Sequence, residues 1–112
     1  MSELTERVRS YFKMYLTRDR VGLEASFDDG FRFSSPQDDH IDKAAYFSKC
    51  WPPGDKLADL AVEDVVKVDD STVFALYTGT WKTGDRFRNM ERIVLAEGKV
   101  IEVEVFFGLP PR

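Results

Sequence analysis

The chain has 112 residues, a formal net charge of -4, 43% hydrophobic and 32% charged residues, and nine phenylalanines. This size and balance predict one globular domain over residues 1–112 with a large apolar core, and they exclude a disordered chain. Because no basic stripe, secretory signal or membrane-length apolar stretch is present, we expect a cytoplasmic protein that binds neither nucleic acid nor membranes.

Two helices are predicted at the start of the chain. Apolar residues recur at spacings of three and four over residues 4–16, with charged residues between them, which is typical of an amphipathic helix. Asp19 is placed to cap a second, short helix that buries Leu23 and Phe27. Both helices should therefore pack against the same core.

A short strand and a third helix follow. Residues 28–30, Asp-Asp-Gly, indicate a turn, and residues 31–34 have the composition of a strand. Asp42 is placed to cap a helix over residues 43–51, which the Pro-Pro-Gly sequence of residues 52–54 should end.

The second half of the chain alternates apolar and polar residues, as strands do. Turn residues separate four such segments, which predicts an antiparallel meander. With helices first and strands second, the fold class is α+β, and the helices should cover one face of the sheet. The residues expected to share a face within each segment are Leu60, Val62, Val66 and Val68; Val73, Ala75, Tyr77 and Trp81; Phe87 to Leu95; and Ile101, Val103, Val105 and Phe107.

Asn89 and Glu91 interrupt an otherwise apolar strand face that contains Phe87, Ile93 and Leu95. Burying an unpaired carboxylate is costly, so such a group is paired, kept protonated or used. This pattern predicts a lined cavity for a ligand.

Other candidate groups give weaker signals. Cys50 is the only cysteine, which excludes an internal disulfide, and we expect a packed thiol. The single His40 follows Asp38 and Asp39 in a polar stretch between two elements, where it either transfers protons or is merely solvated. A metal site built from these residues and Asp42 is disfavoured, because adjacent side chains point apart and no second histidine exists. We expect no metal and no cofactor.

The order of helix, short helix, strand, proline turn, helix and four long strands resembles the nuclear transport factor 2-like superfamily. This superfamily includes ketosteroid isomerases and SnoaL-like polyketide cyclases. The resemblance implies a cone-shaped, curved antiparallel sheet wrapped around N-terminal helices, a cystatin-like architecture with a deep apolar pocket. It is carried by the 98–101 and 106–108 segments and by Tyr11, Asp19, Gly22, Phe27, Asp29 and Pro36.

Site residues follow from the resemblance position by position. Tyr11 falls where the isomerases have an oxyanion-donating tyrosine, and Glu91, shifted by one residue, falls where they have a protonated acid. Ser35 stands where the catalytic base should be, and a serine hydroxyl alone is no base. The resemblance therefore does not imply steroid isomerisation, although Asp38 or His40 would restore acid–base chemistry by another route.

Three arrangements of Glu91 remain open from the sequence. In the first, Tyr11 and Glu91 together hold a carbonyl or a developing oxyanion of a ligand. In the second, Tyr11 satisfies its hydroxyl with Glu91 or Asn89 in a structural bond. In the third, Glu91 forms an ion pair with Arg88 or Arg92.

We expect a pocket for a small apolar or aromatic molecule bearing a carbonyl or hydroxyl group, with or without cofactor-independent isomerase or cyclase chemistry. The alternative is a non-catalytic binding module, or a homodimer formed through the sheet, with a filled interior. The outer face of the sheet should be charged. The expected pocket residues besides the catalytic candidates are Tyr15, Phe33, Ser35, Phe47, Trp51, Tyr77, Asn89, Val103 and Phe107.

Overall fold

The computed structural model describes residues 3–51 and 57–109. In these residues no helix is both long and apolar enough to cross a membrane. Three helices and six strands follow in the order α1 (Glu3–Leu16), α2 (Arg20–Ser26), β1 (Phe27–Ser35), β2 (Asp38–Asp42), α3 (Lys43–Lys49), β3 (Leu57–Lys67), β4 (Thr72–Trp81), β5 (Arg86–Ala96) and β6 (Lys99–Phe107).

The six strands form one curved, open sheet in the order β2-β1-β6-β5-β4-β3. Strands β3 to β6 pair as an antiparallel meander, as predicted. The fold class α+β is confirmed, and α1 lies against β3 and β4 on the inner face. The expectation of a purely antiparallel sheet is wrong in one place, because β1 and β6 pair in parallel.

Helix α1 is attached to the turn between β5 and β6. Arg7 Nη1 and the Tyr11 hydroxyl both donate to the Gly98 carbonyl, at 3.2 and 3.3 Å. Glu97 and Gly98 both have positive φ, +52° and +80°, as a tight two-residue hairpin turn requires. The first helix therefore rests on a turn whose geometry favours glycine.

The predicted turn at residues 28–30 lies inside β1 instead. Phe27 pairs with Val100 and Arg32 with Glu102, so residues 28–31 stand opposite Ile101 alone. Asp28 accepts a hydrogen bond from the Gly30 N–H at 2.8 Å, as in a turn. The turn-forming residues thus make a bulge within a strand that starts earlier than predicted.

The polar stretch expected between two elements is itself a strand, β2, which pairs antiparallel with β1. Its alternation is weak because it lies at the sheet edge and is largely exposed. Asp42 caps α3 as predicted, accepting from the Ala45 N–H at 2.9 Å. The helix ends at Lys49, two residues earlier than expected, and residues 52–54 lie outside the described residues.

Two irregularities in strand register change which residues face inward. A shift between Val62 and Asp64 turns Val65 towards the core and leaves Val66 57% exposed, contrary to the predicted alternation. A shift opposite Val94 and Leu95 buries Val100 in place of the predicted Ile101. Single extra residues invert the facing of all residues beyond them in a strand.

An aromatic cluster fills the end of the molecule where β1 and α3 meet. Phe27 stacks on Phe31 with ring centroids 4.4 Å apart, and Tyr46 packs on Phe31 at 5.4 Å. Phe47 packs behind Tyr46 at 5.1 Å. The core is solid at this end, and the space between α1 and the middle of the sheet is hollow.

Candidate functional site

A cavity of about 840 Å³ lies between the helices and the inner face of the sheet. Its size falls within the usual range for small-molecule sites. Most of its wall is apolar, and a few polar side chains enter it. The wall residues that carry the argument below are Tyr11, Tyr15, Ser35, Asp38, Tyr46, Lys49, Cys50, Tyr77, Trp81, Phe87, Asn89 and Glu91.

Glu91 is the central ionisable group of the wall. It lies on the inner face of β5, directly opposite Ala75 of β4, whose small side chain leaves room for it. Desolvation raises the pKa of its carboxyl from 4.5 to about 7, against an opposing hydrogen bond from Tyr77. At neutral pH, Glu91 is therefore present both as acid and as carboxylate.

Tyr77, on the neighbouring strand β4, is the partner of Glu91. Its hydroxyl donates to Glu91 Oε2, and Asn89 Nδ2 donates to the same hydroxyl at 3.5 Å. Burial, followed by the Glu91 charge, raises the pKa of Tyr77 well above its usual range. No described residue bonds Glu91 Oε1, so one carboxyl oxygen remains for a ligand.

Two further tyrosines stand near this pair. The Tyr15 hydroxyl donates to the Cys50 carbonyl at 2.8 Å. Burial raises the pKa of both Tyr15 and Tyr46, and the Glu91 charge raises each further, which places both phenols within electrostatic range of the carboxyl. Burial also raises the pKa of the Cys50 thiol, which disfavours a nucleophilic thiolate.

The expected contact between Tyr11 and Glu91 is not formed. Tyr11 lines the cavity, but its hydroxyl donates to the Gly98 carbonyl. The alternative ion pair is also absent from the described residues, because Arg88 bonds Glu63 at 2.9 Å and Arg92 approaches Glu102 at 3.9 Å on the outer face. Glu91 is held by a strand tyrosine and not by a helix residue or a cation.

A second polar group lies on the cavity wall at Ser35 and Asp38. Asp38 Oδ1 accepts from Lys49 Nζ at 3.0 Å, and Asp38 Oδ2 accepts from the Ser35 hydroxyl at 3.2 Å. The Gln37 N–H donates to the same hydroxyl at 3.1 Å. Asp38 thus lines the cavity, but both of its oxygens are already bonded.

Three predicted site residues are not on the cavity wall. His40 lies on the edge strand with its side chain 65% exposed and its Nδ1 2.5 Å from Asp39 Oδ1, a hydrogen bond that raises its pKa. Phe47 is buried in the aromatic cluster, behind Tyr46. Trp51 meets Tyr15 edge to face with ring centroids 5.2 Å apart, and the Arg18 guanidinium lies over the Trp51 ring, 4.6 Å from its centroid.

The remaining predicted pocket residues lie on the wall, together with residues that were not predicted to line it. Phe33, Val103 and Phe107 line the cavity as expected from their alternation, although Phe107 is half exposed at its edge. Trp81 and Phe87, which were not among the expected pocket residues, also line the cavity. Strand alternation already places both residues on the same strand faces as Tyr77 and Asn89. No group of three or more described His, Cys, Asp or Glu residues is placed to hold a metal ion.

Comparison with known proteins identifies the fold. No protein-family model and no curated protein matches the chain. A candidate ketosteroid isomerase from Kribbella flavida superposes with a TM-score of 0.80 at 21% identity, covering 96% of this chain and 78% of that one. An NTF2-like protein of unknown function from Burkholderia xenovorans gives 0.76 at 18%, covering 96% and 84%. A candidate polyketide cyclase from Xanthomonas campestris pv. campestris gives 0.72 at 18%, covering 93% and 89%.

These superpositions confirm the nuclear transport factor 2-like fold that the sequence resembles. The chain has this fold over nearly its whole length. Identities this low establish architecture alone, because one fold hosts many activities.

Proposed function

We propose that the protein binds a small, largely apolar molecule bearing a carbonyl or hydroxyl group, which the Glu91 carboxyl bonds directly. The observation that carries this proposal is a desolvated carboxyl on the wall of a cavity of about 840 Å³, with Oε1 unbonded by any described residue. Its pKa of about 7 allows it to donate to a carbonyl or accept from a hydroxyl at neutral pH. The apolar wall would enclose the rest of the molecule.

We also propose that Glu91 transfers protons on a bound ketone. The Glu91 carboxylate would take a hydrogen from the carbon next to the carbonyl. The electrons of that C–H bond would form a C=C bond while the carbonyl π pair moves to oxygen, giving an enolate. Delivery of the proton to another carbon would complete an isomerisation, and delivery of a proton that the carboxyl has exchanged with water to the same carbon would complete a hydrogen exchange, both without a cofactor. Two structural neighbours are described as a candidate ketosteroid isomerase and a candidate polyketide cyclase, and this analogy supports the proposal.

Binding can be tested with three probes of the same shape. Calorimetric titration should detect 2-naphthol and 2-tetralone but find naphthalene bound more weakly, since only the first two can bond Glu91. The Glu91→Leu variant should lose the preference and retain the naphthalene affinity. If the wild-type protein bound all three probes with equal affinity, Glu91 would not bond the carbonyl or hydroxyl group of the ligand, and that part of the proposal would be wrong.

Proton transfer can be tested separately by NMR. In D₂O, the wild-type protein should speed the exchange of the hydrogens next to the 2-tetralone carbonyl, and the rate should rise with pH to a plateau above about pH 7. Glu91→Gln should abolish the acceleration while leaving naphthalene binding unchanged. If 2-tetralone exchanged its hydrogens no faster with the wild-type protein than in buffer, the proton-transfer proposal would be wrong and only the binding proposal would remain.

A homodimer formed through the sheet is a second proposal. On the outer face, Leu76, Met90 and Phe106 are direct neighbours on β4, β5 and β6, and Phe106 is 51% exposed. Charges of both signs flank this apolar strip, with Arg92 next to Glu104 and Arg88 bonded to Glu63. In a two-fold related copy, the same residues would place positive charges opposite the negative charges of the first copy. The outer face thus carries the charged residues that the sequence predicted, and they surround an apolar strip.

Sedimentation measurements test this assembly. Met90→Lys should convert a dimer into a monomer, whereas Val21→Lys, at an 80% exposed position on α2, should not. A wild-type protein that is monomeric at high concentration would end the proposal. The expectations of one domain, a cytoplasmic location and no nucleic-acid or membrane partner stay predictions.

A further inference from the structure

The ring of Phe87 lies flat on the backbone of Gly79. The two residues are direct neighbours on β5 and β4 and both belong to the inner face. A Cβ added at position 79 would stand 2.0 Å from Phe87 Cζ and 2.3 Å from Cε1. The far end of the ring therefore occupies the place of a side chain at position 79, and only glycine permits this position.

Contacts on both sides keep the Phe87 ring in place. Trp81 packs against it with centroids 5.0 Å apart, and Tyr77 meets its edge at 6.3 Å. Phe87 and Trp81 form the outer end of the cavity together with Leu57 and Leu60 of β3. Because the ring lies down on the sheet, the space above it stays open.

This outer chamber, bounded by Leu57, Leu60, Trp81 and Phe87, is well separated from the polar group at Glu91. Phe87 and Glu91 lie four residues apart on the same face of β5, which is roughly 13 Å along the strand. Only Asn89 lies between them on that face. A ligand whose polar group meets Glu91 would reach this chamber with an apolar extension.

We propose that Gly79 and Phe87 set the length of ligand that the cavity accepts, so that the preferred ligand is an elongated apolar molecule with its polar group at one end. The inference rests on the proposed binding function and deepens it. A methyl group at position 79 pushes the Phe87 ring off the sheet and into the outer chamber. The chamber then closes to long ligands while the surroundings of Glu91 stay as they are.

A series of 4-alkylphenols from ethyl to octyl tests the length limit by calorimetric titration. For wild-type protein, affinity should rise by at most about fourfold per added methylene until the chamber is full. Gly79→Ala should bind 4-ethylphenol like the wild type but bind 4-hexylphenol at least about tenfold more weakly. Thr80→Ala, on the outer face of the same strand, is the matched control and should behave like the wild type.

Two further variants keep the test decisive. The double variant Gly79→Ala/Phe87→Ala removes the displaced ring and should recover binding of 4-hexylphenol. Phe87→Ala alone should bind most tightly a 4-alkylphenol with a longer alkyl chain than the wild type prefers. This variant tests the length limit if Gly79→Ala does not fold.

The outcomes separate the two levels of the proposal. A folded Gly79→Ala variant with the wild-type length profile, or an unchanged optimum in Phe87→Ala, overturns the length limit and leaves the binding function intact. A wild-type protein that binds none of the phenols overturns the binding function itself.

Discussion

Replacing Glu91 by glutamine should stabilise the protein, and increasingly so as the pH rises. Glutamine has the shape of the protonated acid and cannot ionise. In the wild-type protein, ionisation of Glu91 opposes folding because its carboxyl is desolvated in the cavity wall. The variant keeps an acceptor for the Tyr77 hydroxyl but carries no charge.

The magnitude follows from the pKa. The carboxyl titrates near 4.5 when unfolded and near 7 when folded, so the folded state holds this proton more tightly. Below pH 4.5 the group is protonated in both states and costs nothing. As the pH rises from 4.5 to 7, the unfolded state gains by losing its proton first, and the free energy of unfolding falls by about 3 kcal/mol in total. Above pH 7 the penalty is constant.

Urea denaturation of the two proteins between pH 5 and pH 8 measures this effect. The stability advantage of Glu91→Gln should grow by about 2.5 kcal/mol over this range. Other titrating groups are common to both proteins and cancel in the difference. Glu104→Gln, which removes a carboxylate from the opposite face of the sheet, serves as the control for the loss of one negative charge. A difference that stays constant with pH would contradict a desolvated Glu91, and the proposed ligand site with it.

Further predictions concern the neighbours of this carboxyl. Tyr77→Phe removes the hydrogen bond that lowers the Glu91 pKa, so the decline of stability with pH should extend to higher pH in the same denaturation series. Tyr11→Phe should cost about 1 kcal/mol of unfolding free energy through the lost bond to Gly98, and calorimetry should find 2-naphthol binding unchanged. His40→Ala should leave both the exchange of 2-tetralone and its pH dependence unchanged in NMR, because the imidazole lies on the exposed edge strand.

Strand alternation predicted the inward face of β5 correctly, since this strand has no register shift against β4. The same reasoning failed for Val66 and Ile101, because extra residues in β3 and β6 invert the alternation beyond them. Such bulges have no compositional signal at these positions. The strand at residues 38–42 was missed for a different reason. An edge strand can be polar on both faces and is recognised only by its partner.

The resemblance predicted that a carboxyl lies in the pocket, but none of the three arrangements left open for Glu91 paired it with Tyr77. Whether Tyr11 reaches Glu91 depends on how α1 sits on the sheet, and its attachment to the Gly98 carbonyl turns the hydroxyl elsewhere. The Tyr77 contact depends only on the register of β4 with β5. That register pairs Tyr77 with Asn89 and sets Ala75 opposite Glu91. It depends on the conformation of residues 81–85, which connect the last paired residues of the two strands, and the sequence alone does not determine that conformation.

The identity of the partner bears on how the site works. Glu91 and Tyr77 lie on adjacent strands of one hydrogen-bonded ladder, so the sheet holds their geometry independently of the helices. Tyr77 donates to Oε2, and no described residue bonds Oε1, which means that a ligand need not displace the tyrosine to reach the carboxyl. Tyr11 is then free to stabilise the fold. Tyr11→Phe should therefore change stability without changing the acidity of Glu91, and a shift in that acidity would show that the Tyr11 hydroxyl contributes to the site.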